Sequence, residues 1–235
     1  MSGIRDTSTK YSKMKLLLTR ASGFIGKNFI ENAPKDIEIT AIYNNSNSIK
    51  NFVDEKKLEN VKLYKCDFTK KKELEALFQK IGGNFEYCIY LAGNVNVPLS
   101  ITNPIEDLNA NAAALINFLS ACGMIGRLVY MSSAAVYDGN KGMVTAQTML
   151  DPVIPYCISK LAAEQYIKFF SSSITLTSLK AFLTDFGVPS FEPLSTTNMS
   201  NLYLVFSILI DLMAFTTISG SLCDRITKDT LIFIF

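Results

Sequence analysis

Tyr156 and Lys160, in "YCISK" (156–160), stand four residues apart in a segment of helical periodicity, so they share one helix face. A phenol beside an ammonium is an acid–base pair: the positive charge favours tyrosinate and draws the phenol from about 10 toward the working range. Ser133 ends "LVYMSS", an apolar run that reads as a strand, and its hydroxyl could hold a substrate oxygen that gains or loses a proton. The 235-residue chain has no histidine, which removes His-dependent triads and most transition-metal sites. Proton transfer near neutral pH therefore falls to Tyr, Lys, Cys or a shifted carboxylate. Tyr-x-x-x-Lys alone also describes an exposed helix face. Its weight comes from following a Ser-Ser strand end in a chain that opens with a glycine turn.

That turn is "TRASGFIG" (19–26), between the apolar strand "MKLLLT" (14–19) and a helix expected over 24–32. Backbone amides and the helix dipole at such a turn can receive a pyrophosphate. Gly23 would let the backbone approach the phosphates, and Gly26 would let the helix pack on the sheet. Arg20 stands where these turns usually place their first glycine. A non-Gly residue forced to positive φ there costs on the order of 1 kcal/mol. Its guanidinium would crowd the pyrophosphate or pair with it.

Further strands are expected at 37–43, 61–66, 86–93, 127–133 and 174–182, with helices at 70–81, 104–122 and 156–170. Continuous apolar strands alternating with helices predict an α/β fold with a parallel sheet covered on both faces. Such sheets bind ligands beyond the carboxyl ends of their strands, where the strand order reverses. After Pro193 the pattern changes to a polar loop and an apolar run over 202–218, with Asp211 at its middle. That run is short for a membrane span and carries a charge, so a buried helix is expected instead.

The net charge is +2 and no basic cluster occurs, which gives no support to a nucleic-acid or membrane-surface partner. "DEKKLENVK" (54–62) and "TKKKEL" (69–74) mix signs and read as solvated helix faces. Cys66, Cys88, Cys122, Cys157 and Cys223 form no CxxC, so core thiols in a reducing, cytoplasmic setting are expected, with no metal site.

Taken in order, "TRASGFIG", "CDFTK", "YLAG", "NPIEDLNANAAALINFLSAC", "VYMSSAAVY", "YCISKLAAE" and "SLKAFLTDFG" resemble the extended short-chain dehydrogenase/reductases. Within them the chain is similar to the NAD-dependent epimerase/dehydratase group acting on nucleotide sugars. The resemblance implies a Rossmann-type doubly wound sheet over 14–190. It places Phe24 and Ile25 by the pyrophosphate, with Asp67 and Phe68 at the adenine. Leu91, Ala92 and Gly93 would line the adenine–ribose side, and Asn111 would hold the fourth strand and cofactor. Ser133, Tyr156 and Lys160 become the catalytic set, with Lys160 also on the nicotinamide ribose and Phe182 near the nicotinamide. It further implies a homodimer through the helices at 104–122 and 156–170.

The second strand ends "IYNNSNS", without the Asp that commonly holds the ribose of NAD and without an Arg for a 2′-phosphate. The cofactor is thus NAD or NADP, NAD being the first expectation. Ala134 and Ala135 follow Ser133 where dehydratases carry an Asp-Glu pair, so epimerase or reductase chemistry fits better. Besides Arg20, the departures are Ala146, Met149 and Asp185. Residues 1–13 read as an extension, and 191–235 as an atypical tail where relatives continue into a substrate lobe. Three readings stay open: an active nucleotide-sugar epimerase or reductase, a member that holds dinucleotide without turnover, and an interaction protein using its apolar tail.

Overall fold

The computed structural model describes residues 14–145, 148–170 and 231–233. Leu16, Leu17 and Leu18 are consecutive and all fully buried, which a strand achieves only when both faces are packed. They lie in β1 (Lys15–Leu18), paired in parallel with β2 (Glu38–Tyr43) on one side. β3 (Val61–Lys65) continues the sheet beyond β2. On its other side β1 pairs with β4 (Asn84–Tyr90), followed by β5 (Met124–Met131) and β6 (Leu231–Phe233). The order is therefore β3-β2-β1-β4-β5-β6.

Helices α1 (Phe24–Asn32) and α2 (Ser48–Glu55) lie on the face where Leu16, Leu18, Ile30, Ile39 and Ile49 pack together. The opposite face carries α3 (Lys71–Ile81) and the chain between β4 and β5. That chain forms α4 (Val97–Thr102), α5 (Pro104–Leu108), a π-turn (Asn109–Ala113) and α6 (Ala114–Ala121). The long helix α7 (Pro155–Phe170) packs on the same face. Leu17 points to this second layer, as strand alternation requires. Phe118 is its hub, with ring centres 5.0 Å from Tyr90, 5.5 Å from Phe68 and 5.8 Å from Phe78. Phe118→Ala is expected to lower stability by about 3–5 kcal/mol, read as a reduced urea midpoint.

The parallel doubly wound sheet is the expected one. The strand expected at 174–182 and the apolar run 202–218 lie outside the described residues, and Leu231–Phe233 holds the sixth place beside Val129–Met131. The helix face expected over 54–62 is corrected: α2 ends at Glu55, Lys57 turns the chain at φ 51°, and β3 begins at Val61. Among the described residues no helix is long and apolar enough to cross a membrane.

Sheet order reverses between β1 and β4, so a crevice opens at their carboxyl ends. Thr19, fully buried, ties the two ends together: its Oγ1 accepts from the amides of Leu91 at 2.8 Å and Ala92 at 2.9 Å.

Candidate active site

Beside Thr19 the chain turns into α1 over Gly23 and Gly26. A Cβ added at Gly26 would stand 2.7 Å from the Arg20 carbonyl oxygen and 2.8 Å from Ala21 Cα, so only glycine lets α1 sit on the turn. Arg20 occupies the left-handed region at φ 51°, the strain expected from its place in the turn. Its side chain folds over Gly23, with Cγ 3.5 Å and Nε 3.6 Å from where a Gly23 Cβ would be. Arg20 Nη1 then donates to the Gly93 carbonyl at 3.0 Å. The guanidinium thereby bridges the ends of β1 and β4 across the crevice.

A cavity of about 440 Å³ lies on the β2–β3 side of this bridge. Of the residues expected at a cofactor, Asp67, Phe68, Ala92 and Gly93 line it, together with Arg20 and the β2-end residues Tyr43, Asn44, Asn45 and Ser46. Phe24 is largely exposed on α1, and Leu91 is buried beneath the rim. Ile25 packs partly buried against the α1 face of the core. Phe182 lies outside the described residues.

Ser133, Tyr156 and Lys160 come together beyond the end of β5, and none of them lines that cavity. Ser133 Oγ caps a short 3-10 turn (Ala134–Tyr137) by accepting from the Ala135 amide at 3.3 Å. Lys160 reaches back under the strand end, where Nζ donates to the Met131 carbonyl at 2.9 Å and lies 5.2 Å from the Tyr130 ring centre. Burial lowers the Lys160 ammonium to about 8, and the nearby Arg20 charge pushes the same way against Asp107 and Glu164. Tyr156 departs from expectation. Its phenol is raised above 10, because burial outweighs the Ser133 hydroxyl and the Arg20 charge, which both lower it. Lys160 is not among the groups that act on it, since Nζ is turned to the Met131 carbonyl.

The low value at Lys160 has a consequence for stability. Its folded value of about 8 lies below the ordinary 10.5, so the unfolded chain binds more protons between them. The cost of burying the ammonium is full below pH 8 and gone above 10.5. Lys160→Met is therefore expected to be more stable than the parent at pH 7, by on the order of 3 kcal/mol. Denaturant melts across pH should show that gap closing as the pH rises through this window.

Behind the three residues runs a buried polar network of which the sequence pointed only to Asn111. Asp107, fully buried, accepts from Asn111 Nδ2 at 3.0 Å, from Ser159 Oγ at 2.6 Å and from Asn94 Nδ2 at 2.9 Å. Asn111 Nδ2 also meets Ser159 Oγ at 3.0 Å, and Asn111 Oδ1 accepts from the Asn94 amide at 2.8 Å. The π-turn aims Asn111 inward, and the network fixes α5 and α7 against the end of β4. Gly93 completes the fit: at φ 148°, a Cβ there would stand 2.5 Å from Asn111 Oδ1 and 3.5 Å from Lys160 Nζ. The available clue was a spacing, Asp107 and Asn111 four apart on one helix face.

Burial raises Cys66 to about 11 and Cys122 to about 12, and Cys88 and Cys157 upward as well, so these thiols are core fillers and poor nucleophiles. Among the described residues no group of three or more His, Cys, Asp or Glu is placed to hold a metal ion.

Comparison with known proteins places the fold. An uncharacterised UDP-glucose epimerase of Bacillus subtilis is 30% identical over 187 residues, covering 74% of this chain and 57% of that protein. A putative UDP-glucose 4-epimerase of Methanocaldococcus jannaschii is 28% identical over 161 residues, covering 66% of this chain and 50% of its own length. The chain thus spans about half the length of the curated relatives it matches. Among solved structures, the UDP-N-acetylglucosamine 4-epimerase of Methanobrevibacter ruminantium, in complex with UDP-N-acetylmuramic acid, superposes with a TM-score of 0.60. It is 27% identical and covers 69% of this chain and 52% of that one. The Thermus thermophilus UDP-glucose 4-epimerase, solved with NAD, gives a TM-score of 0.56 at 25% identity, covering 68% and 51%. The model of the NAD dependent epimerase/dehydratase family matches residues 16–183, and with the parallel sheet and its crevice this shows the chain to be a member of that family.

Proposed function

We propose that the chain carries the acid–base and cofactor-holding part of an NAD(P)-dependent epimerase or reductase of nucleotide sugars, restrained at its glycine turn by Arg20. The observation that supports this is the gathering of Ser133, Tyr156 and Lys160 at the carboxyl end of β5, beside the crevice. The adenosine half of a dinucleotide fits the cavity lined by Asp67, Phe68, Ala92 and Gly93. Its pyrophosphate would need the space over Gly23 that the Arg20 side chain occupies.

When bound, the nicotinamide would supply the acceptor and donor of hydride. Tyr156 would take the proton of a sugar hydroxyl as its carbon is oxidised, and return it when the carbonyl is reduced. Ser133 would hold the same oxygen by a hydrogen bond. Lys160, whose Nζ would stand 3.5 Å from a Cβ added at Gly93, would bind the ribose on the nicotinamide side. Ala134 and Ala135 leave no acid beside Ser133 to expel water, which supports epimerase or reductase chemistry over dehydration. A nucleotide sugar as substrate is supported by the similarity to UDP-sugar epimerases.

The test is incubation of the chain and its Arg20→Gly variant with NAD+ and UDP-glucose or UDP-galactose, with sugar products resolved by chromatography. Interconversion that is stronger in Arg20→Gly is expected. Dinucleotide binding without product in either protein would overturn it. That outcome would favour the second reading, supported by the Arg20–Gly93 bridge, of a member that holds nucleotide without turnover.

A further inference from the structure

We propose that Arg20 divides the groove in two, so that the cavity on its β2–β3 side takes a free adenosine phosphate, ADP above all, more tightly than it takes a dinucleotide. Arg20 is part of the cavity wall, and Ser133, Tyr156 and Lys160 are not. The dividing group is fixed at both ends, since the side chain lies over Gly23 and Nη1 holds the Gly93 carbonyl at 3.0 Å. A guanidinium has five N–H donors, so those not committed to Gly93 remain for a phosphate. A terminal phosphate can stop there. The pyrophosphate of a dinucleotide must continue past it, breaking the bond to Gly93 and displacing the side chain from Gly23.

The rest of the cavity suits the nucleoside. Asp67 Oδ1 accepts from the Thr69 amide at 3.0 Å and hydroxyl at 2.7 Å, which fixes the carboxylate with Oδ2 left to accept from an exocyclic amine. Ile42, Phe68 and Ala92 give apolar walls for a flat base. Asn44, Asn45 and Ser46, at the carboxyl end of β2, offer neutral partners for ribose hydroxyls. Glu106 also lines the cavity, and its carboxylate accepts from Asn103 Nδ2 at 2.8 Å. An amine-bearing base at Asp67 and an anion at Arg20 together describe an adenosine phosphate.

The test is calorimetric titration of the full chain with ADP, AMP, UDP and NAD+, repeated on Arg20→Gly and Arg20→Asn. Asn tolerates the left-handed backbone but lacks the charge, so the pair separates strain from phosphate binding. Expected for the parent is ADP at least tenfold tighter than NAD+ and than UDP. Both variants should lose tenfold or more in ADP affinity, and Arg20→Gly should reverse the order of ADP and NAD+. NAD+ binding as tightly as ADP to the parent, ADP affinity unchanged in both variants, or no ADP binding at all would overturn the proposal. UDP equal to ADP would overturn the assignment of the base. These are equilibrium affinities and do not rest on turnover, so a failed epimerase assay leaves them standing and the converse also holds.

Discussion

Arg20→Gly is expected to bind reduced nicotinamide dinucleotide ten- to a hundredfold more tightly than the parent chain. Two effects act together. In the parent, a pyrophosphate entering over Gly23 must first displace a guanidinium bonded to the Gly93 carbonyl at 3.0 Å. Hydrogen bonds to charged groups contribute about 1.5–3 kcal/mol, and each 1.4 kcal/mol is a factor of ten in affinity. Re-solvation of the displaced guanidinium offsets part of that, which brings the expected gain into the stated range. Glycine also accepts the φ of 51° without the penalty an arginine meets, which offsets about 1 kcal/mol of the stability lost with the bond to Gly93. Fluorescence titration with NADH and NADPH measures the first effect, and a denaturant melt the second. An unchanged affinity would show that the turn admits the pyrophosphate with Arg20 in place.

Tyr156→Phe, made in the Arg20→Gly chain, is expected to lower sugar turnover by about a thousandfold while leaving dinucleotide affinity within a few fold. The substitution keeps a ring of nearly the same volume at a buried position, so packing is conserved and only the hydroxyl is lost. Positioned acid–base groups contribute on the order of 10²–10⁴ in rate. Because burial raises the phenol above 10, it is protonated at neutral pH and poised to donate. Oxidation of a sugar hydroxyl needs the tyrosinate, so its rate should climb about tenfold per pH unit from neutrality toward that value. The reduction direction needs the phenol and should stay flat over the same range. A Phe variant with the same rates and pH profile would remove Tyr156 from the chemistry.

Local patterns were legible in the sequence wherever local chemistry decides the outcome. The helix expected at 24–32 starts at Phe24 and ends at Asn32, since Gly23 and Gly26 punctuate it and Pro34 follows. Arg20 was identifiable as a strained residue because the turn between β1 and α1 admits few alternatives, and its φ is positive. Tyr156 and Lys160 share a buried face of α7, as four-residue spacing requires. Less visible were effects that depend on what packs against what. The phenol of Tyr156 was expected to fall and instead rises, because sequence spacing reveals the ammonium but not the burial. Asp107, Ser159 and Asn94 come from three separate segments, and Asn111 joins them from a π-turn that no local pattern announces. α2 was missed because Ser48–Glu55 follows a polar loop and buries only Ile49 and Val53.

Ser133, Tyr156 and Lys160 are proposed as a competent site held back by Arg20. The most direct test is the near-ultraviolet absorbance of reduced nicotinamide after Arg20→Gly, saturated with NAD+, is mixed with UDP-glucose or UDP-galactose. A rise in absorbance that requires the sugar, and is lost in Arg20→Gly with Tyr156→Phe, is the predicted result. Saturating NAD+ binding with no absorbance change and no epimerised sugar would contradict the claim, leaving a nucleotide-binding fold without the chemistry.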